Sequence, residues 1–79
     1  MAKKIFGFAV LGTGMIAKFH VRAILALPEA RLIAVCSREL SRAAAFAEEF
    51  GCEAFDTLDA MLAHPAVDVL VIATPSGAH

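Results

Sequence analysis

A glycine-bearing segment near the beginning of the chain has the residue types and the spacing that hold phosphate groups in proteins. Between Leu11 and Ala17 the sequence is L-G-T-G-M-I-A, which contains the pattern G-x-G-x-x-A. Gly12 would allow a tight turn off a strand, and Gly14 would let a pyrophosphate approach the backbone. Ala17 is small enough for the following helix to pack closely on that strand. The pattern therefore predicts a dinucleotide-binding turn.

The backbone of this turn is predicted to make most of the contacts. The first N–H groups of a helix have no partner within the helix, and they lie at the positive end of its dipole. They would therefore face the bound anion. The predicted cofactor contacts of the turn are Gly12, Thr13, Gly14, Met15 and Ile16.

The elements that would position this turn alternate in the order β-α-β-α-β-α-β. Apolar runs indicate strands at residues 5–11, 31–37, 52–55 and 67–73, and helical spacing indicates helices at 15–27, 40–50 and from 57 to about 64. This alternation predicts an α/β fold of Rossmann type, a doubly wound parallel sheet with strand order 3-2-1-4. The predicted inward face of the first helix carries Ile16, His20, Ala23, Ile24 and Leu27.

The fourth predicted strand is apolar on both faces, so it should be covered on both. No helix or strand follows it in this sequence, and an open apolar edge is prone to aggregation. We therefore expect residues 1–79 to form the N-terminal part of a dinucleotide-binding Rossmann domain whose sheet is incomplete by itself. A longer polypeptide or another chain would complete it, and a homo-oligomer stays open.

Composition and charge exclude several classes of function. Hydrophobic residues make up 59% of the 79 residues, and the formal net charge is −1. No basic stripe suits a nucleic acid, and no run reaches the roughly 18–20 apolar residues of a membrane span. Cys36 and Cys52 are too few for a disulfide framework and lack metal-ligand spacing, which indicates a reducing, cytoplasmic compartment. Cys36 would lie beside the predicted crevice, but no base for a catalytic thiol is identifiable, and no catalytic residue or metal site is predicted.

The turn after the second predicted strand indicates which dinucleotide binds. A carboxylate about 20 residues beyond the glycines normally accepts hydrogen bonds from the ribose 2′-hydroxyl of NAD. The sequence here is Cys36-Ser37-Arg38 instead. Ser37 can donate to a 2′-phosphate and Arg38 can pair with it, each such bond contributing roughly 1.5–3 kcal/mol. NADP is therefore favoured over NAD, with Arg42 as a further contact, although Glu39 could bring a carboxylate to the ribose and Arg38 could be an ordinary solvated charge.

The segment after the fourth predicted strand is the third candidate contact. Ligands of open α/β sheets bind outside the carboxyl ends of the strands, near the switch point between the first and the fourth. Thr74 and Pro75 would then lie beside the pyrophosphate and the nicotinamide ribose, and His79 could contact the cofactor. An ordinary strand-to-helix turn explains Thr-Pro-Ser-Gly equally well.

In combination these motifs resemble the family of glucose–fructose oxidoreductase and inositol dehydrogenase. The resemblance rests on the G-T-G-M-I-A turn followed by His20, on Ser37-Arg38 with the helix after it, and on D-x-x-x-I-A-T-P-x-x-x-H from Asp68 to His79. It implies a Rossmann domain followed by a larger α/β domain. It also implies hydride transfer between a nicotinamide cofactor and a hydroxyl of a sugar, polyol or related compound.

The catalytic lysine of that family follows the fifth strand, so the resemblance implies that this chain holds the cofactor and is inactive alone. The expected partners are a nicotinamide dinucleotide and, through the domain outside this chain, a small-molecule substrate. A regulator that senses a dinucleotide without catalysis is the alternative, because the resemblance extends to such proteins.

Overall fold

Strands and helices alternate along the chain in a computed structural model, which describes residues 5–73. The elements are β1 (Phe6–Leu11), α1 (Met15–Leu25), β2 (Ala30–Cys36), α2 (Leu40–Phe50), β3 (Glu53–Phe55), α3 (Leu58–Leu62) and β4 (Val69–Ile72). The predicted order is confirmed. None of the helices in this part of the chain is long and apolar enough to cross a bilayer.

The four strands form one parallel sheet in the order β3-β2-β1-β4, which confirms the predicted Rossmann-type topology. β1 is central, because it bonds to β2 on one side and to β4 on the other. The helices α1 and α2 pack on one face of the sheet, and α3 packs on the other. The chain crosses from β1 to β2 and β3 through α1 and α2, and it crosses back past β1 to β4 through α3. Because each crossover is right-handed, the reversal of direction places α3 on the opposite face.

Each face of the sheet carries its own apolar core. On the face of α1 and α2, Val10 and Val35 of the sheet pack with Val21 of α1 and Phe46 of α2, each at most 3% exposed. On the opposite face, Met61 of α3 is fully buried in a group that includes Ala9, Ala34 and Cys36. Full burial of a valine or methionine side chain contributes about 1.5–3 kcal/mol. Packing on the sheet therefore stabilises helices that are too short to be stable alone.

The inward face of α1 differs from the predicted one. The buried residues of the helix are Ala17, Val21 and Ile24. Of the predicted set only Ile24 is buried, because Ile16 and Leu27 are 52% and 50% exposed, Ala23 is exposed and His20 is half-buried. Apolar residues occupy more than half of the helix circumference, so their spacing could not decide which side faces the sheet. Ala17, whose small side chain was predicted to let the helix pack closely on β1, is fully buried in this core.

Local signals set the boundaries of the other two helices as predicted. Gly51 ends α2 in the left-handed conformation, with φ of 74°, which glycine adopts without steric cost. The Thr57 hydroxyl oxygen accepts a hydrogen bond from the Ala60 N–H at 3.2 Å and so caps α3. Asp59 lies in the first turn of α3, where its charge is favourable to the helix dipole.

A contact between Gly7 and the segment before β4 fixes the beginning of the central strand. The Asp68 carboxylate accepts a hydrogen bond from the Gly7 N–H at 2.8 Å, and the Asp68 N–H donates to the Gly7 carbonyl at 2.7 Å. A Cβ atom at position 7 would overlap the carbonyl oxygen of Ala66 and approach Ile33 to 2.9 Å. Only glycine therefore fits here, which is one of the reasons for a glycine inside a strand.

We expect Gly7→Ala to lower the free energy of unfolding by about 3 kcal/mol, because overpacking against backbone cannot be relieved by a rotamer change. Gly14→Ala is the matched control, since an added Cβ there meets no atom within 4 Å, and it should change stability by less than about 1 kcal/mol. Urea unfolding followed by circular dichroism measures both. Equal losses in the two variants would show that the Ala66 contact has no special cost.

Candidate functional site

The turn between β1 and α1 has the backbone geometry that its glycines predict. Gly12 has a φ of 118°, a conformation that residues with a Cβ adopt only with strain. Its N–H donates a hydrogen bond to the carbonyl oxygen of Cys36 at 2.8 Å. The turn is therefore attached to the last residue of β2, so the residues that follow β1 and those that follow β2 lie side by side.

The beginning of α1 is open. Gly14 precedes the helix in an extended conformation, no side chain caps the helix, and its first turn holds no acidic residue. The first hydrogen bond of the helix runs from the Lys18 N–H to the Gly14 carbonyl at 3.1 Å. The N–H groups of Met15 and Ile16 precede this bond, and such groups have no partner within the helix. A Cβ at Gly14 would meet no atom within 4 Å, so the backbone at the beginning of α1 is accessible, and helix beginnings of this kind can bind anions.

Two arginines lie in and just after the turn that follows β2, and of these only Arg42 forms an ion pair within residues 5–73. Ser37 is anchored through its N–H, which donates to the Phe55 carbonyl at 3.1 Å, and its hydroxyl oxygen accepts from the Glu39 N–H at 3.4 Å. Arg38 is exposed and makes no ion pair within residues 5–73. Arg42 pairs with Glu39 at 3.1 Å. The carboxylate that could have faced a ribose is therefore occupied by a neighbouring arginine.

A cleft of about 370 Å³ lies between the glycine turn, α1 and α2. It is lined by Thr13, Gly14, Lys18, Arg42, Ala45, Phe46 and Glu49. The structure thus brings Thr13 and Gly14 together with Arg42, whereas Ser37 and Arg38 lie outside the lining. Lys18, which pairs with Glu49 at 3.4 Å, was not predicted as a site residue. Nothing in the sequence could have indicated it, because its position depends on how α1 packs beside α2.

The predicted contacts Thr74, Pro75 and His79 lie outside the described residues. Ala73, the residue before them, is buried, and its N–H donates to the Leu11 carbonyl at 2.9 Å. The described part of the chain after β4 therefore ends beside the strand that leads into the glycine turn.

Cys36 contributes its carbonyl group to the site and keeps its thiol in the core. The side chain is 3% exposed and belongs to the apolar group around Met61, on the face of the sheet opposite α1 and α2. Burial raises the pKa of the Cys36 thiol, and the nearby Asp56 carboxylate raises it further. Both effects oppose formation of a thiolate, so this thiol is a weaker nucleophile than an exposed cysteine.

His64 lies at the far end of the sheet and is engaged through both ring nitrogens. Its Nδ1 accepts a hydrogen bond from the Ala66 N–H at 3.0 Å, which leaves Nε2 to donate to the Glu53 carboxylate at 2.7 Å. Its side chain is 23% exposed. Because neither nitrogen is free to accept a proton from a substrate, the His64–Glu53 pair serves to hold β3 against the segment after α3.

Comparison with known proteins identifies the family of this chain. The model of an oxidoreductase family with an NAD-binding Rossmann fold, named for glucose–fructose oxidoreductase, inositol dehydrogenase and MocA, matches residues 6–79. The chain belongs to this Gfo/Idh/MocA family. Inositol 2-dehydrogenase of Rhizobium meliloti is 40% identical over 72 residues, which are 91% of this chain and 22% of that enzyme. The chain thus spans about a fifth of the length of the curated relatives that it matches.

Solved structures that are similar to this chain hold both kinds of nicotinamide dinucleotide. GenD2 from gentamicin A biosynthesis, in complex with NAD, is 33% identical with a TM-score of 0.86 over 92% of this chain and 21% of that one. A variant of KijD10, a 3-ketoreductase from Actinomadura kijaniata in complex with TDP-benzene and NADP, is 30% identical with a TM-score of 0.86 over 96% of this chain and 24% of that one. The predicted family and fold are confirmed, and the choice between the two cofactors rests on this chain's own residues.

We expect both thiols of the folded protein to react slowly with iodoacetamide at about pH 8. Burial, with the nearby Glu53, raises the pKa of Cys52 from 9.0 to about 11, which reduces its thiolate fraction at that pH roughly 100-fold. The direction is the same for Cys36. Mass spectrometry measures the rates, and labelling in concentrated urea provides the control. If Cys36 reacts as fast in the folded protein as in urea, this equal rate would contradict its placement in the core.

Proposed function

We propose that this chain is the cofactor-binding part of an oxidoreductase that transfers a hydride between a nicotinamide dinucleotide, with NADP favoured, and a hydroxyl or ketone of a sugar-related compound. The observation that carries the proposal is the open beginning of α1. Gly12 turns the backbone, Gly14 leaves the space in front of the helix free, and no acidic side chain competes there. Backbone donors arranged in this way suit the pyrophosphate of a dinucleotide.

The preference for NADP rests on the charges beside the turn after β2. Arg38 is a cation without an ion-pair partner among residues 5–73, and Ser37 supplies a hydroxyl next to it. Glu39, the nearest carboxylate along the chain, is held by Arg42 at 3.1 Å. That pair is exposed, and exposed pairs of this spacing contribute only about 0.3–0.5 kcal/mol. Arg42 can therefore contact a 2′-phosphate at little cost when the Glu39 side chain, which is 63% exposed, turns to solvent.

The proposed substrate class rests on the names of the relatives. Inositol 2-dehydrogenase is named for a polyol, and another relative, 42% identical over 73 residues, is a dTDP-hexose 3-reductase of Streptomyces antibioticus. When bound, the dinucleotide supplies the hydride or accepts it. The described residues hold the phosphates of the cofactor, and the groups that move the substrate proton are proposed to lie in a further domain. The two cysteines are free thiols, which suits a reducing, cytoplasmic compartment.

We expect Gly14→Val to weaken NADPH and NADH equally, by at least about tenfold, because the branched side chain would occupy the space proposed for the pyrophosphate. Stability should change little, since the position is open. Isothermal titration calorimetry on the 79-residue chain measures both affinities. Unchanged binding of both dinucleotides would place the pyrophosphate elsewhere.

We expect Arg38→Ala to weaken NADPH by about ten- to hundredfold and NADH by less than about threefold, because only NADPH carries the phosphate that Arg38 would pair with. Arg31→Ala is the matched control, since Arg31 is also exposed but lies near the beginning of β2. Titrations at one fixed salt concentration compare the variants. Equal losses for the two dinucleotides would reject the phosphate contact while leaving the binding turn intact.

A further inference from the structure

The cleft between the glycine turn, α1 and α2 is lined by two cations and one carboxylate. Lys18 of α1 and Arg42 of α2 are the cations, and Glu49 of α2 is the carboxylate. Glu39, which pairs with Arg42, does not belong to the lining. The charged side chains of the cleft therefore carry a net positive charge, which favours an anionic ligand. The volume of about 370 Å³ is ample for a phosphate group, since one molecule of liquid water takes up about 30 Å³.

Lys18 and Glu49 form an ion pair that joins α1 to α2 at this cleft. The Lys18 Nζ atom and a carboxylate oxygen of Glu49 are 3.4 Å apart, and the two side chains are 41% and 48% exposed. Water screens a pair with this exposure, so the pair adds little to the stability of the fold. The two side chains can therefore separate when a stronger partner for the lysine enters the cleft.

Lys18 lies close to the place that the fold gives to the adenosine ribose of a dinucleotide. It follows Gly14 by one helical turn, and its N–H donates to the Gly14 carbonyl at 3.1 Å. In a Rossmann fold this ribose lies at the end of the second strand, next to the pyrophosphate. The hydrogen bond from Gly12 to Cys36 brings the end of β2 beside the glycine turn. A 2′-phosphate on that ribose would then lie next to the cleft that Lys18 and Arg42 line.

A phosphate monoester is a stronger partner for Lys18 than the Glu49 carboxylate. It carries about 1.5–2 negative charges at neutral pH and three acceptor oxygens, whereas the carboxylate carries a single charge. Lys18 is therefore expected to turn from Glu49 to a phosphate in the cleft. The Glu49 carboxylate has the same sign of charge as the phosphate, so it disfavours the phosphate in the same place.

We propose that Lys18 is a specificity-determining residue that binds the 2′-phosphate of NADP from the α1 side of the cleft. Glu49 is a positioning residue, which holds the lysine side chain at the cleft before the cofactor binds. This inference rests on the proposed binding of a nicotinamide dinucleotide, and it adds a contact on the side opposite Arg42. The two members of one ion pair therefore affect NADP in opposite directions, and neither affects NAD, which has no 2′-phosphate.

The test measures NADPH and NADH binding to the 79-residue chain by isothermal titration calorimetry at one low, fixed salt concentration. Lys18→Met removes the charge and keeps a long side chain, so it should weaken NADPH about five- to tenfold and NADH by less than about twofold. Glu49→Gln should strengthen NADPH about threefold and leave NADH unchanged, because it releases Lys18 and removes a like charge from the cleft.

Two exposed residues on the same helices provide matched controls. Arg22→Met removes a cation one turn further along α1, and Glu48→Gln removes the carboxylate next to Glu49. Neither residue lines the cleft, so both variants should keep the ratio of the NADPH and NADH affinities within about twofold of the native ratio.

The variant that carries both Lys18→Met and Glu49→Gln tests whether Glu49 acts through Lys18. Without the lysine, Glu49→Gln should strengthen NADPH less than it does in the native chain, because no side chain remains to be released. An equal gain with and without Lys18 would show that Glu49 acts by its charge alone, and it would overturn the positioning role.

The remaining outcomes separate this inference from the proposed function. Equal losses of NADPH and NADH in Lys18→Met would overturn the specificity role, since the lysine would then contact the pyrophosphate or support the turn, and dinucleotide binding itself would stand. An unchanged NADPH affinity in Lys18→Met would overturn it as well. If the native chain binds neither dinucleotide, that result contradicts the proposed function and this inference with it.

Discussion

The hydrogen bond from the Gly12 N–H to the Cys36 carbonyl is the constraint on which the rest of the site depends. It is possible because Gly12 adopts a φ of 118°, which turns the backbone back towards β2 as β1 ends. α1 then begins over the carboxyl edge of the sheet, next to the turn that carries Ser37 and Arg38, and its first N–H groups have no partner within the helix. Without this turn, the donors for the pyrophosphate and the candidate cations for the 2′-phosphate would belong to separate parts of the surface.

The other end of β1 is fixed by contacts with the segment before β4. Gly7 accommodates the carbonyl of Ala66 and exchanges two hydrogen bonds with Asp68. Asp68 belongs to the motif that the resemblance uses, and the structure gives it this positioning role between β1 and β4. Among the described residues no polar or charged side chain is buried. The core is therefore purely apolar, and the chemistry of the chain is confined to the edges of the sheet.

The order of the elements and the caps at Thr57 and Gly51 could be predicted because each depends on residues close in sequence. The strand order 3-2-1-4 could be predicted because alternating strands and helices with right-handed crossovers allow few arrangements. The inward face of α1 could not be predicted, since Ile16 and Ala23 are as apolar as Val21 and Ile24 and only tertiary packing distinguishes them. The position of Lys18 in the cleft and the pairing of Arg42 with Glu39 also depend on side-chain placement. The glycine turn was predictable because its backbone conformation, and not its side chains, defines it. Thr74, Pro75 and His79 remain predictions.

We propose that the open beginning of α1 and the turn after β2 together hold a nicotinamide dinucleotide. An amide NMR titration of the isotope-labelled 79-residue chain with NADP and with NAD tests this most directly. We expect shifts at the amides of residues 12–17 for both ligands, and larger shifts at Ser37 and Arg38 for NADP. Shifts confined to the opposite end of the sheet, around Cys52 and His64, or no shifts with either ligand, would contradict it.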